Sequence, residues 1–145
     1  MNLHSFLHPN ITEVAIAAGV ALVVIVLLAS WLTRRRPRKL NSEYYKKKWQ
    51  EAQSLCSHES TWPLAVINAD KLLDDVLKKC KFKGKTMGER LGAAQHVIKN
   101  NDTVWFGHKL SKKLVHENMK KLKKKDVLEA LLCFREALKD LGALK

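Results

Sequence analysis

Acidic residues are scarce in this chain, with 14 Asp and Glu against 27 Lys and Arg among 145 residues. The resulting charge of +13 makes a surface that seeks phosphate or lipid head groups. Cysteine is sparse as well. Cys56, Cys80 and Cys133 are odd in number, widely spaced and never within a CxxC, so they indicate neither a disulfide framework nor a zinc site and read as reduced core thiols. No stretch alternates apolar and polar residues in the manner of a strand, so the chain is expected to be all-α. Repeats and low-complexity tracts are missing too. The segment 84–90 lacks the Gly-x-x-x-x-Gly-Lys-Ser/Thr spacing of a phosphate loop and reads as a turn and a cap.

Lysine and arginine are also absent from Met1 to Glu13, which excludes a cleaved signal peptide with its positive charge ahead of the apolar run. There follows one long hydrophobic stretch, Val14 to Leu32, unbroken by any charge or proline. It ends against Arg34, Arg35, Arg36, Arg38 and Lys39. As a helix it covers roughly 28 Å, which matches a hydrocarbon core of about 30 Å. The charge step predicts residues 1–13 outside, a transmembrane helix over 14–32, a basic juxtamembrane linker over 33–40 containing Pro37, and residues 41–145 inside. The expectation is a single-pass plasma (inner) membrane protein with its N-terminus outside, a cytoplasmic C-terminal domain and the lipid bilayer as its first partner. Because Glu13 is the only charge before Arg34, the cytoplasmic part alone carries +14.

That part has room for one small domain. Apolar residues recur there at three and four, which predicts five helices joined by short loops in a compact antiparallel bundle. The first begins near Ser42 and turns Tyr45, Trp49, Ala52 and Cys56 inward. The second runs from Trp62 to about Lys79, with Thr61 as cap, Pro63 in the first turn, and a stripe of Leu64, Ile67, the Lys71 stem, Leu72, Val76 and Cys80. Thr86 and Glu89 form a capping box for a helix from Met87 to about Ile98, with Leu91, Ala94 and Ile98 inward. Asp102 caps a fourth helix that reaches about Leu122. The last opens at Asp126, buries Val127, Leu131, Phe134, Leu138 and Leu141, and stops at Gly142.

Chemistry concentrates in Trp105 to Glu117. On an ideal helix, with Leu114 as zero, Lys112 falls at about 160°, His116 at about 200° and Lys109 at about 220°. Leu110, Ser111, Val115 and Leu122 take the opposite, core-facing arc. A strip of two lysines and a histidine is able to grip an RNA phosphate while His116 removes a 2′-hydroxyl proton; equally, it is an ordinary solvated face. Asp70, Asp74 and Asp75 lie amid Lys71, Lys78 and Lys79 at the spacing of surface pairs and read as solvated rather than as metal ligands. No metal or other cofactor is indicated. Clusters at Lys46, Lys47 and Lys48, at 78–85 and at Lys120 to Lys125, together with Lys112, Lys113 and the Arg34–Lys39 run, form a shell for nucleic acid or anionic lipid. Near a charged bilayer each such cation is worth about 1 kcal/mol.

Three runs carry a resemblance: Trp62 to Asp74, Gly84 to Leu91, and Trp105 to Glu117. Together with the order of helices, they resemble the HEPN superfamily, helical domains whose ribonuclease members carry an Arg, four to six intervening residues and a His. More narrowly, they resemble short single-pass membrane proteins of small-genome, candidate-phyla bacteria, over most of residues 44–144. The resemblance implies a HEPN-like bundle, and with it pairing into homodimers through the motif helices. It also implies a metal-independent endoribonuclease with His116 as base, Lys109 as phosphate clamp and Lys112 as helper. The chain departs from the pattern where Ser111 and Lys112 replace an Arg-Asn pair, and lysine does not fork onto phosphate as guanidinium does. The expected role is therefore a membrane-tethered basic binding module for RNA or a partner protein. A ribonuclease and a structural adaptor with one protein partner are the alternatives.

Overall fold

The computed structural model describes residues 11–32, 40–117 and 122–145, with side chains described from Val14 onward in the first stretch and to Leu28. The chain divides into two units, Met1–Arg36 and Pro37–Lys145. In the first, α1 is a helix over Ile11–Leu32, and every described side chain on it is exposed. Among the described residues no helix is long and apolar enough to cross a membrane. The expected span over 14–32 lies within α1 and rests on the sequence alone. Arg34, Arg35, Arg36, Pro37, Arg38, Lys39, Lys120 and Lys121 lie outside the described residues.

Among its described residues the second unit holds five α-helices, as the apolar periodicity predicts: α2 (Ser42–Ser54), α3 (Trp62–Lys79), α4 (Met87–Ala93), α5 (Asn101–His116) and α6 (Lys124–Asp140). Asn41 caps α2, its side chain accepting the Tyr44 N–H at 3.2 Å, and Tyr45, Trp49 and Ala52 point inward. Two 3-10 turns follow at Leu55–Ser57 and Glu59–Thr61. Thr61, expected to cap α3, instead donates its hydroxyl to the carbonyls of Leu55 and His58. At the far end of α3, Lys81 takes a left-handed φ of 61°, and the N–H groups of Lys81 and Phe82 return to the carbonyls of Lys78 and Leu77. The same closure ends α6, where Gly142 and Ala143 donate to Lys139 and Leu138 at 2.8 Å.

Helix α3 is the hub, packing against α2, α4, α5 and α6, while α5 and α6 form a close hairpin. Phe134, Leu73, Leu77, Leu91 and Leu138 are fully buried at the centre, each worth about 1.5–3 kcal/mol of burial. The hairpin is tight at Gly107, where a Cβ would stand 2.8 Å from Cζ of Phe134. All five expected core positions of α6 are buried, as are Leu91, Ala94 and Ile98.

Several boundaries and faces differ from expectation. Helix α4 stops at Ala93, and the chain turns before Ile98, whose neighbour Lys99 donates its N–H to Asp140 at 2.9 Å. Helix α5 ends at His116 because Glu117 is extended, not near Leu122. Neither Asp102 nor Asp126 caps: the helices start one and two residues earlier, and no N-cap side chain accepts from their first N–H groups. Leu64 is 51% exposed and Lys71 is outward, while Val66 and Leu77 are buried. With neighbours on several sides, α3 buries a wider arc than a single stripe predicts. Val115, placed in the core by the wheel, is 57% exposed because it falls in the last turn, beyond the packed part of the hairpin.

Candidate functional site

Helix α5 has two chemically opposite faces. Its outer face carries Lys109, Lys112, Lys113 and His116, all exposed and spaced i, i+3, i+4 and i+7, so they form one stripe. Lys123, Lys124 and Lys125, also exposed, begin α6 at the same end of the hairpin. None of these lysines makes an ion pair among the described residues, whereas Lys48, Lys78, Lys99 and Lys139 each hold a carboxylate. Three lysines at a helix N-terminus oppose its dipole, and no side chain caps the free N–H groups there. An anion at this end would meet both the lysine charge and those donors.

The structure thus brings Lys109, Lys112, Lys113 and His116 together. Lys46, Lys47 and Lys48 stand apart in the sequence on α2, which packs on α3, and Lys48 is taken up by Glu51 at 2.7 Å. The Lys48 bond holds the Glu51 carboxyl below its ordinary range and raises the Lys48 ammonium.

The inner face of α5 holds a histidine that local spacing does not single out. His108 and Asp70 are both 8% exposed, with His108 Nδ1 at 3.1 and 3.2 Å from the two carboxylate oxygens of Asp70. One turn along α3, Asp74 receives Arg90 Nε at 2.7 Å and Arg90 Nη2 at 2.6 Å, while Arg90 Nη1 donates to the Gly84 carbonyl at 2.8 Å. Asp75 accepts the Tyr45 hydroxyl at 2.9 Å, and burial, then the Asp75 bond, pushes the Tyr45 phenol well above its ordinary range.

Of the expected surface pairs, Asp74 with Lys78 is present at 2.7 Å, but the expectation that the three aspartates are merely solvated is corrected. They tie α3 to α5, α4 and α2 respectively. Local periodicity misses them because each partner lies 16 to 38 residues away. A signal was present: Asp70 occupies the register of Val66, Leu73 and Leu77, where a lone polar residue demands a partner.

Could the His108–Asp70 pair do chemistry? The carboxylate fixes the imidazole, leaving Nε2 as the free nitrogen. That nitrogen lies 3.9 Å from the place a Cβ on Gly88 would take, and the Trp105 ring stands edge-on with centroids 5.9 Å apart. The imidazole is packed beneath α4 and Trp105, so the pair serves as a tie between helices. No group of three or more His, Cys, Asp and Glu suited to a metal ion occurs among the described residues.

The thiols are free, Cys133 buried and Cys56 and Cys80 half-buried, and burial raises all three above the ordinary thiol range. No family model, curated protein or solved structure matches the chain.

Proposed function

We propose that this chain is a single-pass, membrane-tethered module that binds the phosphate backbone of single-stranded RNA on the cytoplasmic face. The binding surface is the lysine-rich end of the α5–α6 hairpin. The observation that carries the reading is the Lys109, Lys112, Lys113 and His116 stripe, exposed and without a carboxylate partner among the described residues. Lysine-rich faces neutralised by neighbouring acids have little to offer a polyanion; this one keeps its charge for a ligand. The resemblance of most of residues 44–144 to HEPN-like domains supports an RNA ligand, and such domains commonly pair into dimers.

The tether is α1. Its apolar side chains from Val14 to Leu28 are exposed, and the sequence continues it without a charge to Leu32, where five cations mark the inner side. Arg34, Arg35, Arg36, Arg38 and Lys39 bind anionic lipid head groups in this reading.

Binding rather than cleavage follows from the donor set. Ser111 is 3% exposed and faces the core, and Lys112 offers a point charge where a bidentate guanidinium would orient a phosphate. The test uses the full chain in neutral detergent micelles with labelled oligouridylate. Anisotropy should report binding that Lys109→Ala, Lys112→Ala and Lys113→Ala together weaken at least tenfold, while Lys71→Ala with Lys99→Ala changes little. Equal losses from both sets would refute the assignment. Cleavage in EDTA that vanishes in His116→Ala would replace binding by the ribonuclease reading.

A further inference from the structure

A second surface, independent of the lysine stripe, lies between α2 and α6. The two helices leave a groove of about 730 Å³ along α2 from Ser42 to Gln53, reaching Cys56 in the turn that follows. Its floor is Trp49, Leu131 and Leu144, each buried. Its wall on α6 is Leu128 and Leu132, which are 53% and 60% exposed. Two large aliphatic side chains one helical turn apart, left in water beside an apolar trough, form an apolar patch of the kind that marks an interaction site.

The rim is polar. Lys46 and Arg135 line the groove beside one acidic side chain, Glu43, and none of these three makes an ion pair among the described residues. At 1.5 Å per residue the α2 wall runs about 20 Å, the length of a helix of roughly 14 residues. Two helices side by side make a trough that a third helix fills by laying its i, i+3, i+4 and i+7 side chains onto the floor.

We infer that the α2–α6 groove docks an amphipathic helix from a partner protein, a helix whose apolar stripe covers Trp49, Leu128, Leu131 and Leu132 and whose flanks are acidic. Charge decides the occupant. A second copy of a chain carrying +13 would bring further cations onto a cationic rim, whereas Asp or Glu on the flanks of the helix would meet Lys46 and Arg135. A flat bilayer surface cannot reach a floor that lies between two helices. The inference leaves the RNA reading untouched, since the stripe on α5 is made of other residues.

The probe is a lactam-stapled helix of about 14 residues, matched to the wall, with leucines at i, i+3, i+4, i+7 and i+11 and glutamates on its flanks. Its twin carries lysines in place of the glutamates. Labelled peptide is titrated with the full chain in neutral detergent micelles. The acidic peptide should bind at least tenfold more tightly than the basic one. Leu132→Glu, on the exposed lip, should reduce that affinity at least tenfold with the circular dichroism spectrum unchanged, and Lys46→Glu with Arg135→Glu should reverse the preference between the two peptides. Lys109→Ala should leave all of this as it was.

The inference is overturned if both peptides bind alike, or if Leu132→Glu retains full affinity. It is equally overturned if the acidic peptide fails to bind while Leu132→Glu abolishes sedimentation as a dimer, which assigns the groove to a second copy. If the acidic peptide fails to bind and an environment-sensitive fluorophore placed at position 132 shifts to the blue when the full chain is moved from neutral lipid to phosphatidylglycerol vesicles, the groove belongs to the membrane and the inference is overturned too.

Discussion

Replacing Arg90 with methionine removes a guanidinium and keeps most of the apolar volume of its stem. The side chains of Arg90 and Asp74 are only 8% and 17% accessible, so the substitution strands a carboxylate in a poorly hydrated place. Breaking such a pair from one side costs about 3–5 kcal/mol. Two features set the value at the lower end. Lys78 Nζ remains 2.7 Å from Asp74 Oδ2, on a side chain that is 56% exposed, and Gly84, whose carbonyl loses a donor, is exposed and so open to water. The expected loss is about 3 kcal/mol, or a fall in Tm of about 10–15 °C for a domain of this size. Urea unfolding of the full chain in detergent, followed by far-ultraviolet circular dichroism, reads it directly as a shift in midpoint at constant slope. Asp74→Leu with Arg90→Met removes both charges, and should return to within about 1 kcal/mol of the parent, because an apolar pair of similar volume replaces a buried ion pair at little cost. A single variant within about 1 kcal/mol of the parent, or a double variant no more stable than the single one, would refute the reasoning.

Gly107→Ala sets two effects against each other. Alanine gains about 1 kcal/mol of helix propensity, but its Cβ would stand 2.8 Å from the fully buried Phe134 ring, an overpacking of about 1–3 kcal/mol. We expect a net loss of about 1 kcal/mol by urea unfolding, relieved when Phe134→Leu is added. Gly84→Ala should be worse, at about 2–3 kcal/mol, because φ is +154° and the new Cβ meets the Arg90 backbone nitrogen at 2.7 Å, and exchange of the α4 amide hydrogens should accelerate. Alkaline pH should destabilise the fold under reducing conditions. The thiols of Cys56, Cys80 and Cys133 and the phenol of Tyr45 have folded pKa values above their unfolded ones, so the native state holds more protons. Their stabilisation is complete below the unfolded values of about 8.5 and about 10, and is lost as pH rises toward the folded ones. Tm should fall progressively above pH of about 8.5 in the parent, and Tyr45→Phe should remove the part above about 10; a flat profile would contradict the assignment.

The sequence carried the five-helix bundle well. The helix from Trp62 to about Lys79 was readable because Pro63 begins it and the lysine-rich turn ends it, and Val127, Leu131, Phe134, Leu138 and Leu141 declared the α6 core by alternating fours and threes. Helix ends were less legible. Asp102 and Asp126 are good capping residues, yet tertiary packing starts both helices before them. The exposed stripe on α5 was visible from rotation alone, since Lys109, Lys112 and His116 recur at helical spacing. The buried ties were not. Asp70 with His108 and Asp74 with Arg90 depend on which helices meet, and charge on a helix reads locally as solvated. The α2–α6 groove depended on the same information: Leu128 and Leu132 lie off the α6 core stripe, and only the placement of α2 shows that they border a groove.

The central claim is that charge on the α5–α6 end grips phosphate, and the salt dependence of RNA binding tests it most directly. Each phosphate neutralised on a single strand contributes about −0.7 to the slope of log K against log salt. Oligouridylate binding by the full chain should therefore weaken steeply with salt, and replacing Lys109, Lys112 and Lys113 by alanine should make the slope shallower by about 2. An unchanged slope in that variant, at whatever affinity, would show that these lysines do not touch the backbone and would contradict the account.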